Sequence, residues 1–421
     1  MPLTDHLAVW LHGNRVGSLE QGRDREIRYV PDQDAPLSVA ASGLAPWSPD
    51  LTQNWFDGLL PEEGRRARLA ARLGLRTEDT FGLLAQVGWE CAGAVAVLPD
   101  GVHPSAGRYD LVSDSTIGEQ LDGLPSLAGI PDSEIRMSLG GAQEKLLVAR
   151  VGDSWAIPLE GAPSTHILKP EPEQWPGLAS AEAWALVAAS KATPAAEAVV
   201  SDSLGSRPVL IVTRYDRPVR GGAITRLHQE DLCQALGLPP GAKYAPVPPR
   251  PDSPSFLRLA NILRERSADP PAELERLLAQ VVVSVALRNA DLHAKNLSII
   301  NEAGVVRLAP VYDVSATTAF VPRTTSVGLP VGGKFKITEI GTEHLVREAL
   351  TWGIPERRSR QVVADAIERL RDGIELADDR WPNTPQSARD AAIAGVFAVA
   401  QEDPGRRSAA GLQASARPRK A

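Results

Sequence analysis

Arg288-Asn289-Ala290-Asp291-Leu292-His293-Ala294-Lys295-Asn296, followed by Leu308-Ala309-Pro310-Val311-Tyr312-Asp313-Val314, is the stretch that decides how this chain is read. It holds an Asp, an Asn five residues later, a short hairpin and then a second Asp on a strand. Phosphoryl transfer needs a positioned base and oxygen ligands for a metal, and an Asp-x-x-x-x-Asn loop ahead of a strand-borne Asp supplies both. Asp291 is read as the base that takes the proton of an incoming hydroxyl, and Asn296 and Asp313 as magnesium ligands. A capped helix end and a turn before a hairpin would explain the same residues without chemistry. The apolar segment upstream and the second Asp favour catalysis.

Working outward, Leu274, Leu277, Leu278, Val281, Val282 and Val285 recur at three- and four-residue steps. That spacing predicts a helix with one apolar face, delivering the Asp291 loop at its C-terminal end. Residues 297–300 and 305–308, joined through Asn301 to Gly304, predict a hairpin whose second strand leads to Asp313. Before this helical lobe, residues 146–149 and 166–169 read as two strands separated by a turn at Gly152-Asp153. Residues 179–192 read as an Ala-rich helix carrying Glu182 and ending before Pro194, and residues 209–215 as a third strand. The first hundred residues predict a mixed α/β unit, with strands at 7–11 and 93–98 and a helix over 61–75.

The expected fold class is therefore α+β: a two-lobed kinase-like fold with an N-terminal mixed α/β subdomain and a mainly helical C-terminal lobe. The expected division is 1–105 for the N-terminal subdomain, 106–132 as a connector, and 133–218 for the small lobe. The helical catalytic lobe is expected over 219–400 and a disordered basic tail over 401–421. Residues 246–254, with five prolines and two charges, read as a surface linker.

Composition narrows the function classes. The 421 residues suffice for two or three domains, and 43% hydrophobic with 23% charged residues is ordinary for a soluble globular chain. A net charge of −7 argues against broad nonspecific nucleic-acid binding by the chain alone, leaving room for DNA held through a partner. Two cysteines, Cys91 and Cys233, build neither a disulfide framework nor a zinc site. No signal peptide or long apolar run is visible, so the expected compartment is the cytoplasm.

The remaining parts of a phosphotransferase each have a candidate. Gly140-Gly141-Ala142-Gln143-Glu144-Lys145 precedes a strand, and its small residues let backbone N–H groups approach phosphate oxygens. Alone it is an ordinary hairpin turn. Lys169, about 24 residues after the glycine turn and ahead of the helix with Glu182, fits the strand lysine and helix glutamate of kinases. Glu171 and Glu173 lie closer to it in sequence. His293 is placed to orient the base or to bind a carbonyl of the loop, and Lys295 to neutralise the transferring phosphate or to stand as a surface lysine. The strand ending at Thr213 and Tyr215 would carry the adenine hinge, with Asp216 within reach of a ribose hydroxyl.

These motifs together resemble the HipA-type toxins, serine/threonine-protein kinases of bacterial type II toxin–antitoxin modules. Four segments carry the likeness: Ser138 to Lys145, Thr165-His166-Ile167-Leu168-Lys169-Pro170, Asn289 to Asn296, and Pro310-Val311-Tyr312-Asp313. Arg226 to Gln234 is also similar to a family segment, as are Asn54 to Glu62 and Val87 to Ala94, so the likeness runs from near the start to about residue 350. The resemblance implies a kinase core akin to phosphatidylinositol-type kinases, using ATP and magnesium. It implies Asp291 as base, Asn296 and Asp313 as magnesium ligands, and Lys169 on the ATP phosphates. Gly140 to Lys145 would be the phosphate loop, and backbone groups of Thr213 and Tyr215 would hold adenine. Ser138 would be the autophosphorylated serine, whose phosphate competes with ATP for the loop's donors and silences the enzyme.

The resemblance further implies a small helix-turn-helix antitoxin of the HipB kind as partner, operator DNA bound mainly through it, and an aminoacyl-tRNA synthetase as protein substrate. Leu292, Pro330 and the basic tail depart from the family's pattern. Two other readings compete: a small-molecule kinase of the aminoglycoside type, and a non-catalytic co-repressor acting with a DNA-binding partner. The first has no place for the 140–145 loop or the N-terminal unit. The second should have lost a base or a metal ligand.

Overall fold

The computed structural model describes residues 5–32, 37–41, 43–124, 143–220, 223–321 and 325–400. Its N-terminal part is an antiparallel sheet of β1 (His6–Leu11), β2 (Asn14–Gln21), β3 (Ile27–Pro31) and β4 (Val95–Pro99), in the order β3-β2-β1-β4. Helices α1 (Pro49–Asp57), α2 (Glu63–Arg72) and α3 (Thr80–Val87) lie between β3 and β4 in the chain. The hydroxyl of Ser48 accepts from Leu51 N–H and Pro49 opens the helix, which explains why α1 begins there. Trp55 and Phe56 of α1 and Leu83 and Leu84 of α3 then share one core with Leu7, Val9 and Val97 of the sheet.

The small lobe is a six-stranded antiparallel sheet, ordered β5-β7-β6-β8-β10-β9. It comprises β5 (Arg108–Val112), helix α4 (Asp114–Gly123), β6 (Leu146–Val151), β7 (Ser154–Leu159), β8 (His166–Pro170), helix α5 (Leu178–Ser190), β9 (Ala198–Ser201) and β10 (Val209–Thr213). Residues 106–132, expected as a connector, thus supply a strand and a helix. β5 pairs with β7, while Ile117 and Leu121 of α4 enter the core beside Val148 and Leu168. β5 is an edge strand with no buried position, so it shows no apolar alternation to read. The Gly152-Asp153 turn joins β6 to β7, where the sequence suggested that it separates β6 from β8.

The large lobe contains β11 (Val219–Arg220), β12 (Ala223–Ile224), β13 (Gln229–Asp231), α6 (Leu232–Ala235), α7 (Phe256–Arg266) and α8 (Pro270–Ala286). It continues through β14 (Ser298–Glu302), β15 (Val305–Leu308), α9 (Thr317–Phe320), β16 (Ser326–Val331), β17 (Lys334–Lys336), α10 (Thr342–Thr351), α11 (Glu356–Arg380) and α12 (Gln386–Ala400). α8 is its axis: Asp269 caps the N-terminus, and the apolar positions read from the sequence are all buried. α12 passes so close over the end of α8 that a Cβ on Gly395 would stand 2.0 Å from the Ala286 carbonyl oxygen. Residues 246–254, expected as a poorly ordered linker, form a bonded irregular segment. Ala245 N–H donates to Gly328 O before it, and Ser253 and Arg250 exchange hydrogen bonds within it. The tail 401–421 lies outside the described residues. No helix among the described residues is long and apolar enough to cross a membrane.

Buried polar groups weld the N-terminal subdomain to the other two parts. Glu90 receives Arg214 at 3.0 Å, Arg217 at 3.2 Å and Arg226 at 2.6 Å. Glu230 of β13 accepts from Trp55 Nε1 at 2.7 Å and from Val39 N–H at 2.9 Å. Burial pushes the Glu230 carboxyl up to about 7 from 4.5, although its donors pull the other way. Between those two values the folded chain holds a proton that the unfolded chain has lost, so stability falls as pH rises through that window. The melting temperature is therefore expected to drop from pH 5 to pH 8, with Glu230 contributing at most about 3 kcal/mol. Glu230→Gln, neutral throughout, should flatten that slope in thermal melts across the range; an equally steep fall in the variant would place its origin elsewhere.

Candidate active site

The end of α8 shows how the sequence builds the catalytic loop. Leu287 caps the helix, Arg288 takes a left-handed φ of +59°, and Asn289 N–H donates back to Ser284 O at 2.9 Å. This stop is usually carried by Gly. Here Arg288 is held by its guanidinium, which donates to Ile337 O at 2.8 Å. The chain then turns through Asp291 into a short 3-10 turn, Ala294–Asn296, ahead of β14. Within it, His293 N–H and Asn296 Nδ2 both donate to the main-chain oxygen of Asp291, at 2.9 and 3.0 Å.

A cleft of about 990 Å³ runs between the lobes and is lined by Lys145, Lys169, Glu182, Thr213, Tyr215, Asp291, His293, Asn296 and Asp313, among others. Lys169 on β8 donates to Glu182 of α5 at 2.9 Å and to Asp313 at 2.7 Å. Glu182, less securely placed from sequence than its neighbours, is thus the helix partner, whereas Glu171 caps α5 by accepting from Ala179 N–H. Burial alone would lower the Lys169 ammonium; the two carboxylates outweigh it and hold the group charged. Lys169 in turn holds Asp313 down at about 2. Asp313 has a left-handed φ of +57°, a conformation that non-Gly residues seldom adopt and that clusters at functional sites. Asp291 is itself exposed at the cleft surface, and partial desolvation by the surrounding walls, with Asp313 nearby, raises its carboxyl, which suits a base.

The donor set fits magnesium bound with nucleotide phosphates. Asn296 uses its amide nitrogen inward on Asp291 O, which leaves its carbonyl oxygen for a metal. Asp313 is held ionised, as an oxygen ligand must be. No cluster of three His, Cys, Asp or Glu side chains that could hold a metal alone occurs among the described residues.

Other expected site residues change role. Asp216, expected near a ribose, accepts from Arg214 and Arg217, each at 2.7 Å, and from Gly93 N–H at 2.9 Å. Burial would raise its carboxyl, but the arginines hold it low, so it is a strut of the domain junction. Lys295, expected at the transferring phosphate, is buried, with its ammonium on Asp231 at 2.6 Å and near Glu62 at 3.6 Å. Thr213 lines the cleft, yet its N–H is given to Glu197 O at 2.9 Å and cannot serve adenine. The Tyr215 hydroxyl donates to Gln229 and its ring stacks on Tyr312 at 5.9 Å. Burial lowers His293 and keeps its imidazole neutral; its ring meets Tyr244 edge-on.

In the phosphate loop, Gln143, Glu144 and Lys145 line the cleft, whereas Ser138, Gly140, Gly141 and Ala142 lie outside the described residues. Glu144, expected at the nucleotide, pairs with Arg68 and stands 3.8 Å from Arg65, both on α2. Burial, reinforced by Arg65 and Lys169, pushes the Lys145 ammonium down to about 7.

Sequence reasoning missed Tyr244, Lys243, Glu62 and Asp231. Glu62 and Asp231 lie in the segments 54–62 and 226–234 singled out above, and the structure brings those segments together: Trp55 meets Glu230, and Glu62 and Asp231 meet at Lys295. Tyr244 and Lys243 sit in a stretch without periodicity and left no signal.

Comparison with known proteins shows the family and the fold. The HipA-like C-terminal domain family matches residues 137–374, and the HipA N-terminal domain family matches residues 7–98. Y4mE of Sinorhizobium fredii (strain NGR234) is 32% identical over 396 residues, covering 89% of this chain and 93% of that protein. The serine/threonine-protein kinase toxin HipA of Shewanella oneidensis (strain MR-1) is 26% identical over 330 residues, covering 73% and 76%. A chain in the solved complex of Shewanella oneidensis MR-1 HipA, HipB and operator DNA shares the fold, with a TM-score of 0.81, 21% identity, and coverage of 94% and 98%.

Removing Lys169 would leave the buried Glu182 carboxylate without its cation and take a counter-charge from the partly exposed Asp313. Lys169→Met is expected to lower stability by about 3–5 kcal/mol, read as a fall in melting temperature. Adding Glu182→Gln should recover part of that loss; no recovery would mean that Glu182 is not strained by the loss of its partner.

Proposed function

The chain belongs to the family of HipA-type kinases, and from that premise we propose that it transfers the γ-phosphoryl group of Mg-ATP to a serine or threonine of another protein, as the toxin of a toxin–antitoxin module. The observation that carries this reading is the Lys169–Glu182 pair with Asp313 on the same ammonium, in the cleft that also holds Asp291. In kinases that pair must be in place for catalysis. Asp291 accepts the proton of the incoming hydroxyl, and its raised carboxyl makes it the stronger base. Lys169 binds phosphate oxygens of the nucleotide. Asn296 and Asp313 would hold magnesium, which neutralises charge on the phosphate oxygens when bound. His293, buried and lowered by that burial, packs beside the base.

A non-catalytic co-repressor would be expected to lack one of these groups. The base, both metal ligands and the lysine all line the cleft, which supports catalysis.

The finer reading follows the family resemblance. The protein substrate is an aminoacyl-tRNA synthetase, a small HipB-like helix-turn-helix protein is the antitoxin, and operator DNA is bound mainly through that partner in the cytoplasm. The net charge of −7 supports DNA contact through a partner over contact by this chain alone. Phosphorylation of Ser138 by the enzyme itself silences it, since a phosphate there would compete for the donors that bind ATP.

Intact mass after incubation with Mg-ATP tests the core of this. Wild type is expected to gain roughly 80 daltons, one phosphate, localised to Ser138, and Asp291→Ala to gain nothing. If unphosphorylated, ATP-binding wild type gains none, self-phosphorylation is wrong and the co-repressor reading takes its place.

A further inference from the structure

Tyr244 has no part in the chemistry assigned so far, yet its phenol touches the base. The hydroxyl donates to Asp291 Oδ1 at 3.0 Å. The ring meets the His293 imidazole edge-on at 5.1 Å, and the Lys243 ammonium lies 5.6 Å from its centre. Lys243 is itself held by Glu62 of the N-terminal subdomain, at 2.9 Å, with both side chains largely buried. The backbone on either side of the ring is also pinned. Ala294 N–H in the catalytic loop donates to Lys243 O at 2.9 Å, and Ala245 N–H donates to Gly328 O at 2.9 Å.

On these contacts we propose that Tyr244 is a positioning residue for Asp291. Its hydroxyl fixes the carboxylate by Oδ1 so that Oδ2 faces the acceptor hydroxyl, and Glu62 secures the arrangement through Lys243. The inference rests on the kinase reading above and deepens it. Two features separate it from a blocking role. A carboxylate has two oxygens, and the phenol takes one. A blocking side chain must leave when substrate arrives, whereas this half-exposed ring keeps its contact with His293 and stands on a backbone held on both flanks, leaving the open side of the carboxylate to substrate. A neutral phenol also leaves the base its charge, which a cation in the same place would offset. Sequence gave no hint of this, because Tyr244 lies 47 residues from Asp291 in an irregular segment.

Tyr244→Phe isolates the hydroxyl, since the ring and its contacts remain. The full chain is assayed as wild type, Asp291→Ala and Tyr244→Phe, with Mg-ATP and a peptide of residues 133–145 as serine acceptor. Wild type is expected to transfer phosphate and Asp291→Ala to be silent. Tyr244→Phe should lose about tenfold in kcat, the scale of a hydrogen bond to a charged group, with KM for ATP and for peptide unchanged. An unchanged kcat overturns the proposal, because the hydroxyl is then idle. A raised kcat overturns it too and makes Tyr244 an obstruction. A raised peptide KM at unchanged kcat makes it a binding contact instead. Should Tyr244→Phe melt below the wild type, Lys243→Gln supplies the second reading: a several-fold fall in kcat supports the strut and no fall overturns it. Each protein is taken unphosphorylated at Ser138, so that self-silencing does not hide activity. Silence of that wild type, matching Asp291→Ala, would sink the kinase reading and this inference with it, whereas an active wild type with an unaltered Tyr244→Phe sinks this inference alone.

Discussion

One ammonium group holds the catalytic geometry together. Lys169 stands on the middle of the small-lobe sheet, opposite Leu210, and its charge is shared by Glu182 of α5 and Asp313 of the large lobe. Burial pushes the lysine toward losing its proton and the two carboxylates outweigh it, while Glu182, equally buried, would be costly to hold without the lysine. Lys169 and Glu182 therefore need each other, and the bond to Asp313 ties the pair to the large lobe. Asp313 meets this demand in a left-handed backbone conformation that the surrounding contacts impose.

The N-terminal subdomain is built into the same arrangement. Its Glu90 lies among Arg214, Arg217 and Arg226, its Trp55 donates to Glu230, and Glu62 reaches Lys243 and Lys295. Helix α2 also carries Arg65 and Arg68 to Glu144, in the segment expected to hold phosphate. Buried ion pairs of this kind add little net stability because desolvation offsets their attraction, but breaking one side is expensive. They tie the Asp291 loop and Glu144 to the same N-terminal subdomain.

Much of this was legible in advance. The step pattern of α8, the Asp291-to-Asn296 spacing and the hairpin before Asp313 are local features, and each appears where it was read. The failures have physical causes. β5 is an exposed edge strand without alternation, so residues 106–132 looked like a connector. Asp216 and Lys295 are charged residues beside catalytic motifs, and nothing local reveals that each is bound by groups far away in sequence. Tyr244 belongs to an irregular segment with no period at all.

Sequence by itself determined the chemistry of this protein: which carboxylates, which amide and which lysine are present, and at what spacing within each segment. These are properties of short stretches, governed by helix and strand periods and by the reach of a single loop. Tertiary structure alone decided which of several charged neighbours does the work. Lys169 takes Glu182 over Glu171 because α5 lays the former against β8 while the latter caps the helix, and Lys295 turns to Asp231 because β13 arrives beside it. A buried charge must find its counter-ion in space, and that choice is settled by packing between segments that no local pattern connects.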